Sequence, residues 1–175
     1  MRYIIRGMIS FVRVIPIATA VYVALSILLW ICKKRKFKQF KTIEFVFLVY
    51  IITILDITGI IGMQINIDWF KNSFSSLGLY LPTSREELLM SILNMILFIP
   101  IGVFMPIVFQ NKKCNMIVVL IVGLCFSIVI EFLQMFGGRM AELDDVLMNS
   151  LGTLMGYWFF LIYQYISKII KKEAG

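Results

Sequence analysis

Asn94, Glu131, Gln134, Arg139, Asp144, Asp145 and Asn149 are polar side chains set within and between strongly apolar stretches of a 175-residue chain. Each is suited to chemistry. Glu131 can give or take a proton as a general acid or base, and Asp145 offers a second carboxylate. Arg139 carries a planar fork of donors that fits a phosphate or a carboxylate. Asn94, Gln134 and Asn149 both donate and accept. An ionised Glu at mid-bilayer costs about 3 kcal/mol or more, so Glu131 is expected to be turned inward and paired, protonated or functional. Ser127 lies on the same stretch, but the chain has no histidine to activate it, which argues against a serine nucleophile.

Spacing gathers these residues on helix faces. Gly123, Ser127, Glu131 and Gln134 follow at intervals of four, four and three, and Asp145, Asn149, Gly152 and Gly156 at four, three and four. Each set is one polar, small-residue stripe. Gly152 and Gly156 form a G-x-x-x-G pair, a mark of close helix packing.

The elements that carry the stripes are membrane spans. With 61% hydrophobic residues, 15% charged residues and a mean hydropathy of +0.93, the composition excludes an ordinary soluble domain. Apolar runs of about twenty residues suit helices, whereas an outer-membrane barrel would show short alternating segments. The expected fold is an all-α integral membrane protein, one domain over residues 1–175. It is a bundle of about five transmembrane helices with a polar cluster between the third, fourth and fifth. The spans are expected at about 14–32, 45–63, 88–109, 116–136 and 146–167.

Residues 2–13 either lie in the membrane surface or begin a long first helix, with Arg2, Arg6 and Arg13 on one face. No cleavable signal peptide is expected. The second span holds Asp56 and Gly59 on one face. Residues 65–87 read as a polar-aromatic connection with interfacial anchors such as Trp69 and Tyr80. Pro100, Gly102 and Pro106 bend the third span and open it to a neighbour.

The formal charge of +7 sits at the ends of apolar runs, a topology signal rather than a nucleic-acid surface. With the amino terminus outside, Lys33, Lys34, Arg35, Lys36, Lys38, Lys41, Lys112, Lys113, Lys168, Lys171 and Lys172 fall inside. Arg2, Arg6, Arg13, Lys71, Arg85 and Arg139 fall outside. The larger inner set places the carboxyl terminus in the cytoplasm. Counted from the span ends, Asp56, Asn94, Glu131 and Asn149 then lie in the outer half of the bilayer, where a pocket would open toward the Gly137–Asp145 loop. Cys32, Cys114 and Cys125 are odd in number and widely spaced, so neither a disulfide framework nor a zinc site is expected, and no cofactor or metal is assigned.

Bland roles stand beside these. Glu131 fits a buried acid bonded to Asn149 or Gln134 as well as a ligand-contacting or catalytic group. Asp144 or Asp145 fits a helix cap. Arg139 fits a surface pair with Glu142 or Asp145 as well as an anion contact.

At these residues the chain resembles the VanZ-like family of small bacterial membrane proteins, named for a member associated with teicoplanin resistance. The resemblance rests on Asn94 with the FIPIG run from Phe98 to Gly102, Glu131 followed by Gln134, Arg139 to Asp145 followed by VLMN, then Gly152 and Gly156. It is clearest over 88–156. It implies that Asn94, Glu131, Gln134, Arg139, Asp145, Asn149 and Gly152 hold the family's recurrent polar and glycine positions. Glu142 stands where the family often has Asp, and its Asn-Leu-x-Pro-Phe segment is not evident in 65–87. The resemblance implies a multi-pass protein of the bacterial cytoplasmic membrane.

Two classes of function follow. One is a protein that binds an envelope lipid, a peptidoglycan-related molecule or a glycopeptide at Asn94, Glu131, Gln134, Arg139, Asp145 and Asn149. The other is an enzyme acting on an envelope lipid headgroup, with Glu131 as acid or base and Asp145 as second carboxylate or ligand to magnesium or calcium. A transporter is a third reading, though no inverted repeat is visible. Purely structural helices are the fourth. Membrane lipids are partners in each, and nucleic acid in none; the sequence sets no oligomeric state.

Overall fold

The computed structural model describes residues 2–31, 42–75, 78, 82–109, 114–140 and 142–173. The basic loop Lys33 to Lys41, Cys32, Tyr80, Lys112 and Lys113 lie outside the described residues, as do the side chains of Arg2 and Arg6. Among the described residues there are six helices and no strand beyond one isolated bridge between Gly78 and Glu142. They are α1 (Arg2–Ile31), α2 (Thr42–Ile57), α3 (Ile67–Ser75), α4 (Arg85–Phe109), α5 (Met116–Phe136) and α6 (Leu143–Glu173). Three stretches are long and apolar enough to cross a membrane: Arg85–Phe109, Met116–Phe136 and Leu143–Lys172. The 21 residues of α5 rise about 32 Å, close to a hydrocarbon core of about 30 Å. This is a helical membrane protein.

The chain forms two compact units, Met1–Met63 and Gln64–Gly175. In the first, α1 is one helix from Arg2 through Pro16, so residues 2–13 begin a long helix rather than a separate surface segment. Val14 and Ala18 meet Val49 and Ile52 of α2, with Phe45 and Leu48 against them. Tyr22 and Phe45 add an edge-to-face contact at 5.3 Å. The Asp56 carboxylate, buried near the end of α2, accepts from the Ser10 hydroxyl and the Arg13 guanidinium. Asp56 therefore ties α2 to α1.

Arg13 is 64% exposed at its side chain and Asp56 only 3%. Losing the cation strands a buried carboxylate, whereas neutralising the acid leaves a cation in reach of water. Arg13→Ala is expected to destabilise this unit more than Asp56→Asn, by about 1–3 kcal/mol, as read by thermal unfolding in detergent. Equal losses would contradict that assignment.

The second span expected from the sequence stops at Ile57 instead of reaching 63. Gly59 and Gly62 take φ of +80° and +83°, a region open to glycine, and the amides of Thr58, Gly59, Ile60 and Ile61 fold back on the carbonyls of Ile54, Asp56 and Leu55.

The second unit is built on α4 and α6, its most extensive helix pair, with α5 against both. Small residues set the spacing. A methyl group on Gly152 would overlap the Met95 carbonyl oxygen, one on Gly156 the Ile99 carbonyl, and one on Gly102 the Thr153 carbonyl. On the α5 side Gly123 faces the Thr153 side chain. Ile121, Val122, Ile128 and Val129 of α5 and Leu147, Leu151, Trp158 and Phe159 of α6 are exposed, an apolar surface suited to lipid. The acids Asp144 and Asp145 in the first turn of α6 and Lys171 and Lys172 in its last both complement the helix dipole.

The connection over 65–87 contains a helix that its polar-aromatic composition did not suggest. Asn66 caps α3, its Oδ1 accepting from the amides of Asp68 and Trp69 at 2.8 and 3.3 Å. Phe70 stacks on Phe136 at 4.5 Å and meets Phe132 edge-on at 5.6 Å, while the Asn66 amide donates to the Phe136 carbonyl. These contacts hold α3 at the end of α5.

Candidate functional site

The α5 stripe is buried: Ser127 is 0% exposed, Glu131 7% and Gln134 6%. Beyond it, the Gly137 amide closes on the Gln134 carbonyl, the Gly138 amide on that of Met135, and the Arg139 amide again on Gln134. Gly138 has φ +78° beside the Trp69 ring, so the turn uses glycine for both conformation and space. The chain then rejoins the connection before α4, where the Leu143 amide donates to the Gly78 carbonyl at 3.1 Å. In this way the end of α5 and the start of α6 are brought beside the start of α4.

Between them lies a cavity of about 730 Å³. Pro82 and Thr83, then Glu86, Glu87, Met90, Ser91 and Asn94 of α4, form one wall. Glu131 and Gln134 of α5, Arg139, Met140 and Glu142 of the loop, and Asp144 and Asp145 of α6 form the rest. Among the described residues the wall carries the carboxyls of Glu86, Glu87, Glu131, Glu142, Asp144 and Asp145 against the guanidinium of Arg139. Such a wall favours a ligand bearing positive charge, or one bound together with a cation.

Particular bonds fix its parts. Asn94 is hydrogen-bonded to the Asp145 carboxylate, which joins α4 to α6. Glu131 Oε2 accepts from the Glu142 amide at 3.2 Å, which joins α5 to the loop. Glu142, outside the spans, has its carboxyl held above the usual range, first by burial and then by the neighbouring Asp145 and Asp144, with Arg139 acting oppositely.

At the start of α4, the Thr83 and Ser84 amides donate to Glu87 Oε2 at 2.7 and 3.2 Å, and Ser84 Oγ accepts from the Glu87 amide at 3.2 Å. This is a capping box that turns the chain into the helix.

Of the residues singled out by sequence, Asn94, Glu131, Gln134, Arg139, Asp144 and Asp145 meet at this cavity. Asn149 does not belong to its wall. It is 4% exposed and its amide donates to Ser127 Oγ at 2.8 Å, so it bonds α6 to α5 one turn deeper than Asp145. Of the two partners expected for a buried Glu131, Asn149 or Gln134, Asn149 donates to Ser127 instead, and Glu131 Oε2 accepts from the Glu142 amide. Neither Asp144 nor Asp145 is the cap residue of α6; both stand inside its first turn, after Glu142. Glu86, Glu87 and Ser91 were missed as site residues. Their signal was present: S-R-E-E is a capping-box sequence, and Glu87, Ser91 and Asn94 follow at intervals of four and three.

Asn149→Ala is accordingly expected to cost about 1–2 kcal/mol of stability by leaving the buried Ser127 hydroxyl unpaired, while ligand affinity at the cavity changes little. Thermal unfolding beside a binding titration separates the two. A large affinity loss at unchanged stability would return Asn149 to the site.

Against models of known families, residues 21–164 match VanZ/LLP1. The chain belongs to the VanZ/LLP1 family. The match runs well beyond the 88–156 stretch that carries the sequence motifs, and takes in the last third of α1, all of α2 and nearly all of the second unit. Comparison with curated proteins and with solved structures gave no match. Within this family member, the cavity walled by α4, α5 and α6 brings the buried Ser91, Glu131 and Gln134 together with Asn94, Arg139 and Asp145.

Proposed function

We propose that this VanZ-like protein is a multi-pass protein of the bacterial cytoplasmic membrane that binds an envelope molecule in the α4–α5–α6 cavity. The ligand is the polar head of an envelope lipid, a peptidoglycan-related molecule or a glycopeptide, and its capture contributes to teicoplanin-type resistance. The reading rests on one observation: the cavity gathers Asn94, Glu131, Gln134, Arg139 and Asp145 at one end of three long apolar helices. The other end of α6 carries Lys171 and Lys172. With five spans, the amino terminus outside and that basic end in the cytoplasm, the cavity opens toward the outer leaflet.

A second reading is favoured by Glu131 itself. It is deeply buried, its Oε2 accepts from the Glu142 amide, and the residue lines the cavity. That arrangement suits a general acid or base acting on a headgroup, with Asp145 as the second carboxylate.

The test is native mass spectrometry of the purified full-length protein after exposure to an envelope lipid extract, and separately to teicoplanin. A retained mass that the Asp145→Asn protein fails to hold supports binding. Appearance of a modified lipid that Asp145→Asn fails to form supports the enzyme. Neither retention nor turnover from either source counts against the cavity as a ligand site.

A further inference from the structure

Successive residues of a helix turn by about 100°, so the nine residues of α3 divide into three arcs. Trp69, Phe70 and Ser73 face the protein: Ser73 is buried, the Trp69 ring lies against Gly138, and Phe70 stacks on Phe136. Ile67 and Phe74 form the next arc. They are 66% and 60% exposed, and Phe74 stacks on Phe70 at 6.0 Å. Asp68, Lys71, Asn72 and Ser75 form the third arc and are all exposed, with the Lys71 ammonium 3.8 Å from the Asp68 carboxylate. Protein, apolar and polar faces thus follow one another around one short helix.

Two observations say what covers the apolar arc. The first is depth. The 21 residues of α5 rise about 32 Å against a hydrocarbon core of about 30 Å, so Phe136, the last of them, stands at the edge of that core. The Phe70 ring is 4.5 Å from Phe136, and the Asn66 amide donates to the Phe136 carbonyl, which fixes α3 at the same level. The second is continuity. Phe132 is half-exposed on α5, one turn beyond the exposed Ile128, and meets Phe70 edge-on at 5.6 Å. The apolar surface of α5 that suits lipid therefore runs on through Phe132 and Phe70 to Phe74.

We propose that α3 lies in the plane of the membrane surface, with Ile67 and Phe74 in the acyl chains of the adjacent leaflet and the polar arc in water. A helix of this kind sinks its apolar face about 5–10 Å into the boundary between headgroups and chains. Lys71 and Asp68 border the apolar arc, where their charges reach the headgroups. Through Trp69 against Gly138, α3 also props the turn that leads to Arg139. The loop wall of the cavity then stands at the depth of the lipid headgroups. This concerns the seating of the second unit in the bilayer, and it holds for either leaflet and for any molecule the cavity takes.

The experiment uses the full-length protein in vesicles of phosphatidylethanolamine and phosphatidylglycerol. In a cysteine-free background, one nitroxide at a time is attached through Ile67→Cys, Phe74→Cys, Asp68→Cys or Ser75→Cys, all exposed positions whose replacement leaves the Phe70 contacts in place. Leu151→Cys on the lipid-facing side of α6 is the reference. Electron paramagnetic resonance reads collisions with oxygen, which concentrates among acyl chains, and with a water-soluble nickel chelate. The oxygen-to-nickel ratio is expected to be several-fold higher at 67 and 74 than at 68 and 75, and below that at 151. Nickel access at all four α3 positions would put the helix in water and overturn the proposal. So would oxygen access at all four, which would bury α3 in the bilayer, and so would exclusion of both reagents from 67 and 74, the mark of a second copy or another protein on that arc. Because no envelope ligand or antibiotic is added, the cavity reading keeps its own test.

Discussion

A Glu131→Gln protein is expected to insert and fold like its parent and to lose the ligand binding proposed for the cavity. The Glu142 amide that now donates to Glu131 Oε2 can donate equally to a glutamine carbonyl, so the loop keeps its anchor. The change falls on the cavity side. A carboxyl group becomes a carboxamide with an N–H₂ donor, in a wall otherwise dominated by carboxyls. A hydrogen bond to a charged group is worth about 1.5–3 kcal/mol, so ligand affinity is expected to fall about 10- to 100-fold. The check is a binding titration with the captured envelope molecule, beside teicoplanin susceptibility of cells expressing either protein. Unchanged affinity and unchanged susceptibility would mean that the cavity is not the working site.

The largest effect on stability is expected from Gly152→Ala and Gly156→Ala. Each new methyl would overlap a backbone carbonyl of α4, at Met95 or Ile99, and backbone cannot swing aside as a side chain can. The helices must separate, which opens the most extensive packing in the unit and stretches the Asn94–Asp145 bond across it. Overpacking a tight contact costs about 1–3 kcal/mol, and a backbone obstacle belongs at the upper end. A loss of about 3 kcal/mol would lower Tm by about 6–12 °C for a chain of this size. Tryptophan fluorescence during thermal unfolding in detergent reads this, with Leu151→Ala as reference because Leu151 is 49% exposed on the lipid-facing side. Tm values for both glycine variants close to that of Leu151→Ala would show that α4 and α6 do not meet so closely.

Much of the second unit was legible because its signals are local and strong. The unbroken apolar run of α5 placed its ends at 116 and 136, where the helix lies. Intervals of four and three put Ser127, Glu131 and Gln134 on one face, and that face is buried. Periodicity gives a face but not a partner. Asn149 shares a stripe with Asp145, yet its depth along α6 sets it against Ser127 rather than the cavity. Glu86 and Glu87 were read with the connection before the third span, because an acidic helix start resembles a solvated loop when apolar content is the guide. α3 escaped notice because nine residues containing Lys71, Asn72 and Ser73 are too short and polar to stand out, and its aromatic anchors on α5 are tertiary contacts. The early end of α2 needed the two left-handed glycines, which a count of apolar residues passes over.

The central claim is that the acidic cavity faces the outside of the cell. Single cysteines placed by Met140→Cys and Glu86→Cys on the cavity wall, and by Lys112→Cys in the sequence between α4 and α5, would be probed in a cysteine-free background with a membrane-impermeant thiol reagent on intact cells. The proposed topology predicts labelling of the Met140→Cys and Glu86→Cys proteins, and labelling of Lys112→Cys only after the membrane is opened. Labelling of Lys112→Cys alone in intact cells would invert the protein in the membrane and contradict an outward-facing site.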